Sequence, residues 1–256
     1  MKDYRFPDKI SQYINGMSVI ENDIGLSKAR LFHLKKGNKE LYLKVEKDNL
    51  ESMQEQIVMQ WLQDKLEVPK IISNCNYENY NYLLMTKVNG EMACTEKSLC
   101  NPKCLVKALA DGIFRLQSVS IADCPFDWSL SNKLDKAWKR IENNEIDMSD
   151  WEDDTEFSSP HELYEFLIAN RPKEDLVFSH GDYCLPNVFI HNEQMVGLID
   201  VGNSGIADKW QDIALCVRSL EHNLCSREYT DLLFKYLNIE PDLEKIRYYI
   251  LLDELF

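Results

Sequence analysis

The sequence predicts an α+β fold in two lobes: a small antiparallel sheet with one key helix, followed by a mainly helical lobe. Three features carry this. Short apolar segments split by turn residues fill most of residues 1–88. One long amphipathic stretch, Glu51 to Leu66, interrupts them. Residues 89–256 then read as helices, apart from one strand-turn-strand passage between Val188 and Ile199. Strands grouped first and helices grouped later is the element order of an α+β protein.

Bulk properties narrow the function. The chain has 256 residues, 45% of them hydrophobic, which suffices for one domain or two tightly joined lobes. Met1-Lys2-Asp3-Tyr4-Arg5 is polar and mixed in charge, unlike an export signal. No apolar run approaches a membrane span, so a cytoplasmic location is expected, with no membrane partner. The eight cysteines are scattered, which favours free thiols over a disulfide framework. Cys100 and Cys104 lack a matching Cys or His pair, so no zinc site is expected. A net charge of −14 argues against nucleic-acid binding, which requires Lys and Arg against phosphates. The same field attracts a small polycation. A nucleotide, itself an anion, would need a locally positive site. No protein partner is implied.

In chain order, residues Pro7 to Tyr13 suggest a short helix and Met17 to Glu21 a strand. Asn22 to Ser27 is a turn, Ala29 to Leu34 a second strand, and Gly37-Asn38 a tight turn. Glu40 to Val45 alternates as a third strand, in which Lys44 is the one inward cation. The helix of Glu51 to Leu66 comes next, with Met53, Ile57 and Trp61 on one apolar stripe and Val58 and Leu62 beside it. Lys70 to Cys75 and Tyr80 to Lys87 complete the sheet, and the lobe boundary falls near Asn89-Gly90.

The second lobe reads as helices at Cys104 to Leu116 and Leu134 to Ile141. Between Glu142 and Glu156 eight carboxylates crowd together, a pattern that usually marks a solvated loop. Ser159-Pro160-His161-Glu162 has the signature of a helix start. Further helices are expected at Asp208 to Glu221, Tyr229 to Leu237 and Pro241 to Leu252. Asp208 and Asp212, one turn apart, are candidates for holding the preceding loop from behind.

The chemistry concentrates in Phe178-Ser179-His180-Gly181-Asp182-Tyr183-Cys184-Leu185-Pro186-Asn187 and the hairpin that ends at Asp200. Two apolar runs, Val188 to Ile190 and Met195 to Ile199, flank a polar turn. Pairing them should bring Asn187 and Asp200 side by side, with Asp182 on the tight loop just before. Magnesium takes oxygen ligands, often one or two carboxylates, with phosphates and water completing the shell. Asn187 and Asp200 suit that role, which leaves Asp182 to orient and deprotonate a hydroxyl, as in phosphoryl transfer.

His-Gly-Asp, four residues, Asn, and then Leu198-Ile199-Asp200-Val201-Gly202 resembles the aminoglycoside phosphotransferase family, in particular its 3'-phosphotransferases (kanamycin kinases). The similarity extends from about Tyr42 to the C-terminus and includes Ala207 to Ala214 and Tyr248 to Phe256. The resemblance implies a protein-kinase-like fold and an alcohol-acceptor phosphotransferase. ATP, with GTP as an alternative donor, and Mg2+ would be its cofactors, and an aminoglycoside such as kanamycin or neomycin its substrate. It assigns Lys44 and Glu55 to an ion pair at the phosphates, Ser27 to the phosphate loop, and Tyr42 to the adenine face. Met85 would lie at the lobe connection beside the adenine edge. Asp182 would be the base, with His180 fixing its loop. Glu152 and Asp153 of the acidic stretch, and Asp253, Glu254 and the Phe256 carboxylate, would bind the amino groups of the acceptor.

Leu185-Pro186, Asn203 and His222 depart from that family's pattern, respectively where polar, positive and acidic residues are common. Such changes near an acceptor shift discrimination between substrates. A kinase of choline or another amino alcohol, a nucleotide-binding pseudokinase and a metal-dependent phosphohydrolase remain the rival readings. The last would leave Lys44 and Glu55 without a purpose.

Overall fold

The computed structural model describes residues 5–22, 29–151 and 155–256. The chain divides into two units, residues 1–89 with 197–202, and residues 90–196 with 203–256.

The first unit is a five-stranded antiparallel sheet in the order β1-β2-β3-β5-β4. Its strands are β1 (Ser18–Asn22), β2 (Arg30–Lys36), β3 (Lys39–Lys47), β4 (Ile71–Tyr77) and β5 (Tyr80–Thr86). Gly37, at φ +58°, makes the tight β2–β3 turn, a conformation that suits glycine. Alternation along β3 sorts its side chains. Leu41, Leu43 and Val45 enter a core with Phe32, Leu34 and Leu84, closed by Ile10 and Ile14 of α1 (Asp8–Ile14). Tyr42, Lys44 and Glu46 therefore stand on the other face.

The helix α2 (Leu50–Leu62) covers that other face near Lys44. It starts on Asn49, whose Oδ1 accepts the Ser52 N–H while the Ser52 hydroxyl accepts the Asn49 N–H. Its inward face is shifted from the stripe expected from the sequence. Val58 and Leu62 are buried as expected, but Met53 and Ile57 are half exposed, and Ser52, Glu55, Gln56 and Met59 are buried in their place. The reason is electrostatic: turning Glu55 toward Lys44 carries the residues three and four positions away inward with it.

The second unit is built on helices α3 (Glu96–Leu99), α4 (Pro102–Ser118), α5 (Leu130–Glu142), α6 (Pro160–Ala169), α7 (Lys209–Leu224), α8 (Glu228–Leu237) and α9 (Leu243–Asp253). Here α7 packs on α9, α4 on α8, and α5 on α6. Ser159 caps α6 with Pro160 at its first position, as the sequence implies. The helix α5 begins four residues before its expected start. Three short strands escape sequence periodicity, β6 (Glu91–Met92), β7 (Leu176–Ser179) and β10 (Gly205–Asp208), whereas β8 (Val188–His191) is the expected first arm of the hairpin. Antiparallel β7 and β10 pair Ser179 with Gly205, so the loop after β7 starts from a fixed edge.

The expected hairpin is present. Strand β8 is joined to β9 (Gln194–Leu198) by Asn192 and Glu193, both at positive φ, the geometry of a two-residue hairpin turn. Helix α4 grips it by its backbone: Asp111 accepts the Met195 N–H at 3.2 Å and Arg115 donates to the Met195 carbonyl. The buried Tyr183 hydroxyl donates to the Leu109 carbonyl at 3.0 Å, passing over Gly112. All eight cysteines are free thiols. Among the described residues no helix is long and apolar enough to cross a membrane.

A methyl group at Gly112 would meet the Tyr183 hydroxyl and lie 3.2 Å from the Met195 Cβ. Gly112→Ala should therefore destabilise the protein by about 1–3 kcal/mol, the usual penalty of overpacking. Thermal unfolding should show a fall of several degrees. An unchanged Tm would mean that Tyr183 is not fixed against α4.

Candidate active site

Two clusters of polar side chains answer to the sequence motif, one in each unit. In the first, the Lys44 ammonium lies 2.7 Å from Glu55, 3.6 Å from Asp200 and 3.7 Å from Glu46. Asp200 reaches this cluster because segment 197–202 is tied to α2 and to Glu67 just beyond it. The Leu198 N–H donates to the Glu67 carbonyl at 2.9 Å, and the Gln54 amide donates to the Gly202 carbonyl at 3.2 Å. Asp200 holds φ +57°, a conformation in which aspartate is tolerated better than most residues. Its side chain is 55% exposed.

Burial works against the Lys44 charge, but Glu55, Asp200 and Glu46 together outweigh it and raise the pKa of the ammonium. Burial pushes the Glu55 and Glu46 carboxyls up, with Lys44 opposing in each case. Glu46 is a member the sequence reading missed. Its position two residues after Lys44 on the same strand face is the signal that could have found it. One of its carboxylate oxygens is buried with no hydrogen-bond partner among the described residues.

Tyr42 and Met85 lie directly opposite each other across β3 and β5, both half-buried. One face of the Tyr42 ring is stacked on His33, with centroids 4.9 Å apart and planes at 16°. Ser27, Glu152 and Asp153 lie outside the described residues.

In the second unit, the loop between β7 and β8 is shaped by one buried carboxylate. Asp212 on α7 accepts the His180 N–H at 2.7 Å, the Ser179 hydroxyl at 2.9 Å and the Gly181 N–H at 3.0 Å. The matching carbonyls are also satisfied: Ser204 donates to His180 at 2.8 Å and Gln211 to Gly181 at 2.8 Å. Burial pushes the Asp212 carboxyl up, while His180 and these donors hold it down. Gly181 sits at φ +89° with the Asn203 backbone where a Cβ would be, so no other residue fits. His180 is wholly buried, and its Nδ1 accepts the Asp182 N–H at 3.3 Å. It fixes the loop.

Asn187 completes this cluster. Its amide nitrogen donates to the Asp182 carboxylate at 2.8 Å and to the Asp182 carbonyl at 3.0 Å. A carboxylate can only accept, so the NH2 group faces Asp182 and the amide oxygen is left without a protein partner among the described residues. Leu185, which departs from the expected polar pattern, is turned into the core and its N–H is held by Ser219 at 3.0 Å. Pro186, Asn203 and His222 are exposed.

Asp208, expected to support the loop alongside Asp212, has a different task. Its carboxylate accepts the Trp210 N–H at 3.1 Å as the cap of α7 and pairs with Lys245 at 2.7 Å. A capping side chain must bend toward its own helix, so it cannot also brace the loop.

The acidic C-terminus is held rather than frayed. Asp253 pairs with Arg218 at 2.5 Å, the Trp151 indole N–H donates to the Glu254 carbonyl at 2.9 Å, and Arg140 donates to the Phe256 carbonyl oxygen at 2.7 Å. Arg218 and Arg140 were not singled out in the sequence. Arg218 is legible in retrospect as the one cation in the buried run Ile213 to Leu220. Among the described residues no group of three or more His, Cys, Asp or Glu is arranged to hold a metal. The Asn187 oxygen in the second unit and the half-exposed Asp200 carboxylate in the first are both hard donors suited to magnesium.

Comparison with known proteins places this geometry. Residues 21–249 match the phosphotransferase enzyme family. An aminoglycoside 3'-phosphotransferase of Enterococcus faecalis is 37% identical over 264 aligned positions that span the whole of both chains. One from Staphylococcus aureus is 36% identical over the same extent. The crystal structure of a type VIII aminoglycoside-3'-phosphotransferase superposes with a TM-score of 0.87 at 27% identity, covering 96% of each chain.

Asp212→Asn would replace one of two accepting oxygens with an NH2 group facing N–H donors. Urea unfolding should show a loss of roughly 2–4 kcal/mol, the penalty of unpairing buried polar groups. A loss below about 0.5 kcal/mol, typical of a surface site, would mean that the carboxylate does not shape the loop.

Proposed function

The chain belongs to the aminoglycoside phosphotransferase family, and we propose that it transfers the γ-phosphoryl group of ATP to the 3'-hydroxyl of an aminoglycoside such as kanamycin or neomycin, thereby conferring resistance. The observation that carries this reading is the Asn187–Asp182 contact, which aims a carboxylate and orients an amide oxygen in one stroke. Full-length similarity to aminoglycoside 3'-phosphotransferases supports the choice of acceptor over choline.

Each residue has a role in this account. Residues 1–88 hold the nucleotide: Lys44, fixed by Glu55, orients the phosphates, Ser27 approaches them, and Tyr42 and Met85 frame the adenine. Asn187 and Asp200 hold Mg2+, which when bound offsets negative charge on the phosphates. A local excess of carboxylates over ammonium groups around Lys44 is consistent with a divalent cation there. Residues 89–256 hold the acceptor. Asp182 aligns its hydroxyl and takes the proton as the oxygen attacks phosphorus. Asp212 and His180 keep that carboxylate in place. Glu152, Asp153, Asp253, Glu254 and the Phe256 carboxylate bind its ammonium groups, drawn in by a net charge of −14. GTP is an alternative donor. The cytoplasm, where nucleotide and magnesium are abundant, is the proposed location.

ADP release from ATP and magnesium tests this with kanamycin, neomycin, choline or no acceptor. Release that depends on kanamycin is expected. Release with choline alone would favour the amino-alcohol kinase, and equal release without acceptor would favour a hydrolase. Asp182→Ala should lower kcat by about 10²–10⁴, the share of general-base catalysis, with ATP affinity unchanged. Chelation with EDTA should stop turnover, and added magnesium should restore it.

A further inference from the structure

Lys133, in the first turn of α5, is only 4% exposed. Lysine is rarely buried this deeply unless it is paired. Among the described residues Lys133 has no salt bridge and no hydrogen bond. Its ammonium instead lies 4.9 Å from the centre of the Phe256 ring. Arg140, two turns further along α5, stands 5.7 Å from the same ring and donates to the Leu255 and Phe256 carbonyl oxygens at 3.1 and 2.7 Å. Trp128 closes the ring's surroundings edge-on at 6.4 Å.

Stability does not explain this lysine. Burial opposes its charge, and a cation in the first turn of a helix is opposed by the helix dipole as well. The carboxylates whose fields reach it are Asp253, Asp182 and Asp212, with Lys136 opposing. Two of these three are groups assigned above to the acceptor. A cation placed there supplies charge to Asp182 and Asp253 while no acceptor amine is bound, and its ring contact fixes the chain end that carries the terminal carboxylate.

We propose that Lys133 is a positioning residue of the acceptor site: with Arg140 it clamps the Phe256 ring, and so sets the C-terminal carboxylate and Asp253 for the ammonium groups of the acceptor. The proposal rests on the reading that the C-terminus binds the aminoglycoside.

The test compares Lys133→Met, Lys133→Arg, Phe256→Leu and the double variant Lys133→Met/Phe256→Leu, with kanamycin as acceptor. Lys133→Met should raise KM for kanamycin about tenfold, the order of a desolvated cation–π contact, with KM for ATP unchanged. Its Tm should hold or rise, because an unpaired buried charge is exchanged for a thioether of similar length. Lys133→Arg should restore most of the affinity. Phe256→Leu should raise KM for kanamycin as well, and the double variant should be no worse than the worse single one. A Lys133→Met protein that melts lower or fails to fold, or single effects that simply multiply, would overturn the clamp. If Phe256→Leu raises KM for kanamycin and Lys133→Met does not, the clamp alone fails. If Phe256→Leu leaves it unchanged, the terminus does not bind the acceptor and both readings fail.

Discussion

The arrangement of the second unit's site depends on one buried carboxylate. A loop in which Gly181 holds φ +89° and His180 is wholly enclosed has peptide N–H groups that water cannot reach. Asp212 accepts two of them and the Ser179 hydroxyl besides. Unpaired, each would cost about 1–3 kcal/mol. With those groups fixed, the next residues have little freedom: the Asp182 N–H rests on the His180 ring, the Leu185 N–H on Ser219, and the Asn187 amide on the Asp182 carboxylate. The Asp182 carboxylate is aimed by a chain of hydrogen bonds that begins in the core. Preorganisation of this kind is the usual source of precision in a catalytic group.

Around Lys44 the constraint is charge rather than backbone. One ammonium meets Glu55, Glu46 and Asp200, and turning Glu55 inward dictates which face of α2 is buried. That explains why Met53 and Ile57 remain exposed although their spacing suggests a core stripe. A polar pairing here overrides an apolar pattern, which is expected more often at functional sites than elsewhere.

Much of this was legible in the sequence. Alternation in Glu40 to Val45 gave β3 and the inward Lys44, and Ser159-Pro160 marked the start of α6. The spacing of Asp182 and Asn187 anticipated two side chains that do meet. What was not legible shares a cause. Four-residue strands such as β7 and β10 are too short for periodicity to register. The partners Arg140, Arg218 and Lys133 lie far along the chain from the C-terminus they hold, and only tertiary packing reveals them. Asp208 and Asp212 look equivalent in sequence, yet one is committed to its own helix as a cap and the other is turned to the loop.

The most direct test of the central claim is the product itself. Kanamycin incubated with the protein, ATP and magnesium should yield a phosphate monoester whose phosphorus couples to the proton on the 3'-carbon in a two-dimensional phosphorus–proton NMR spectrum. Unmodified kanamycin recovered beside free phosphate, or an ester at a different hydroxyl, would contradict the account.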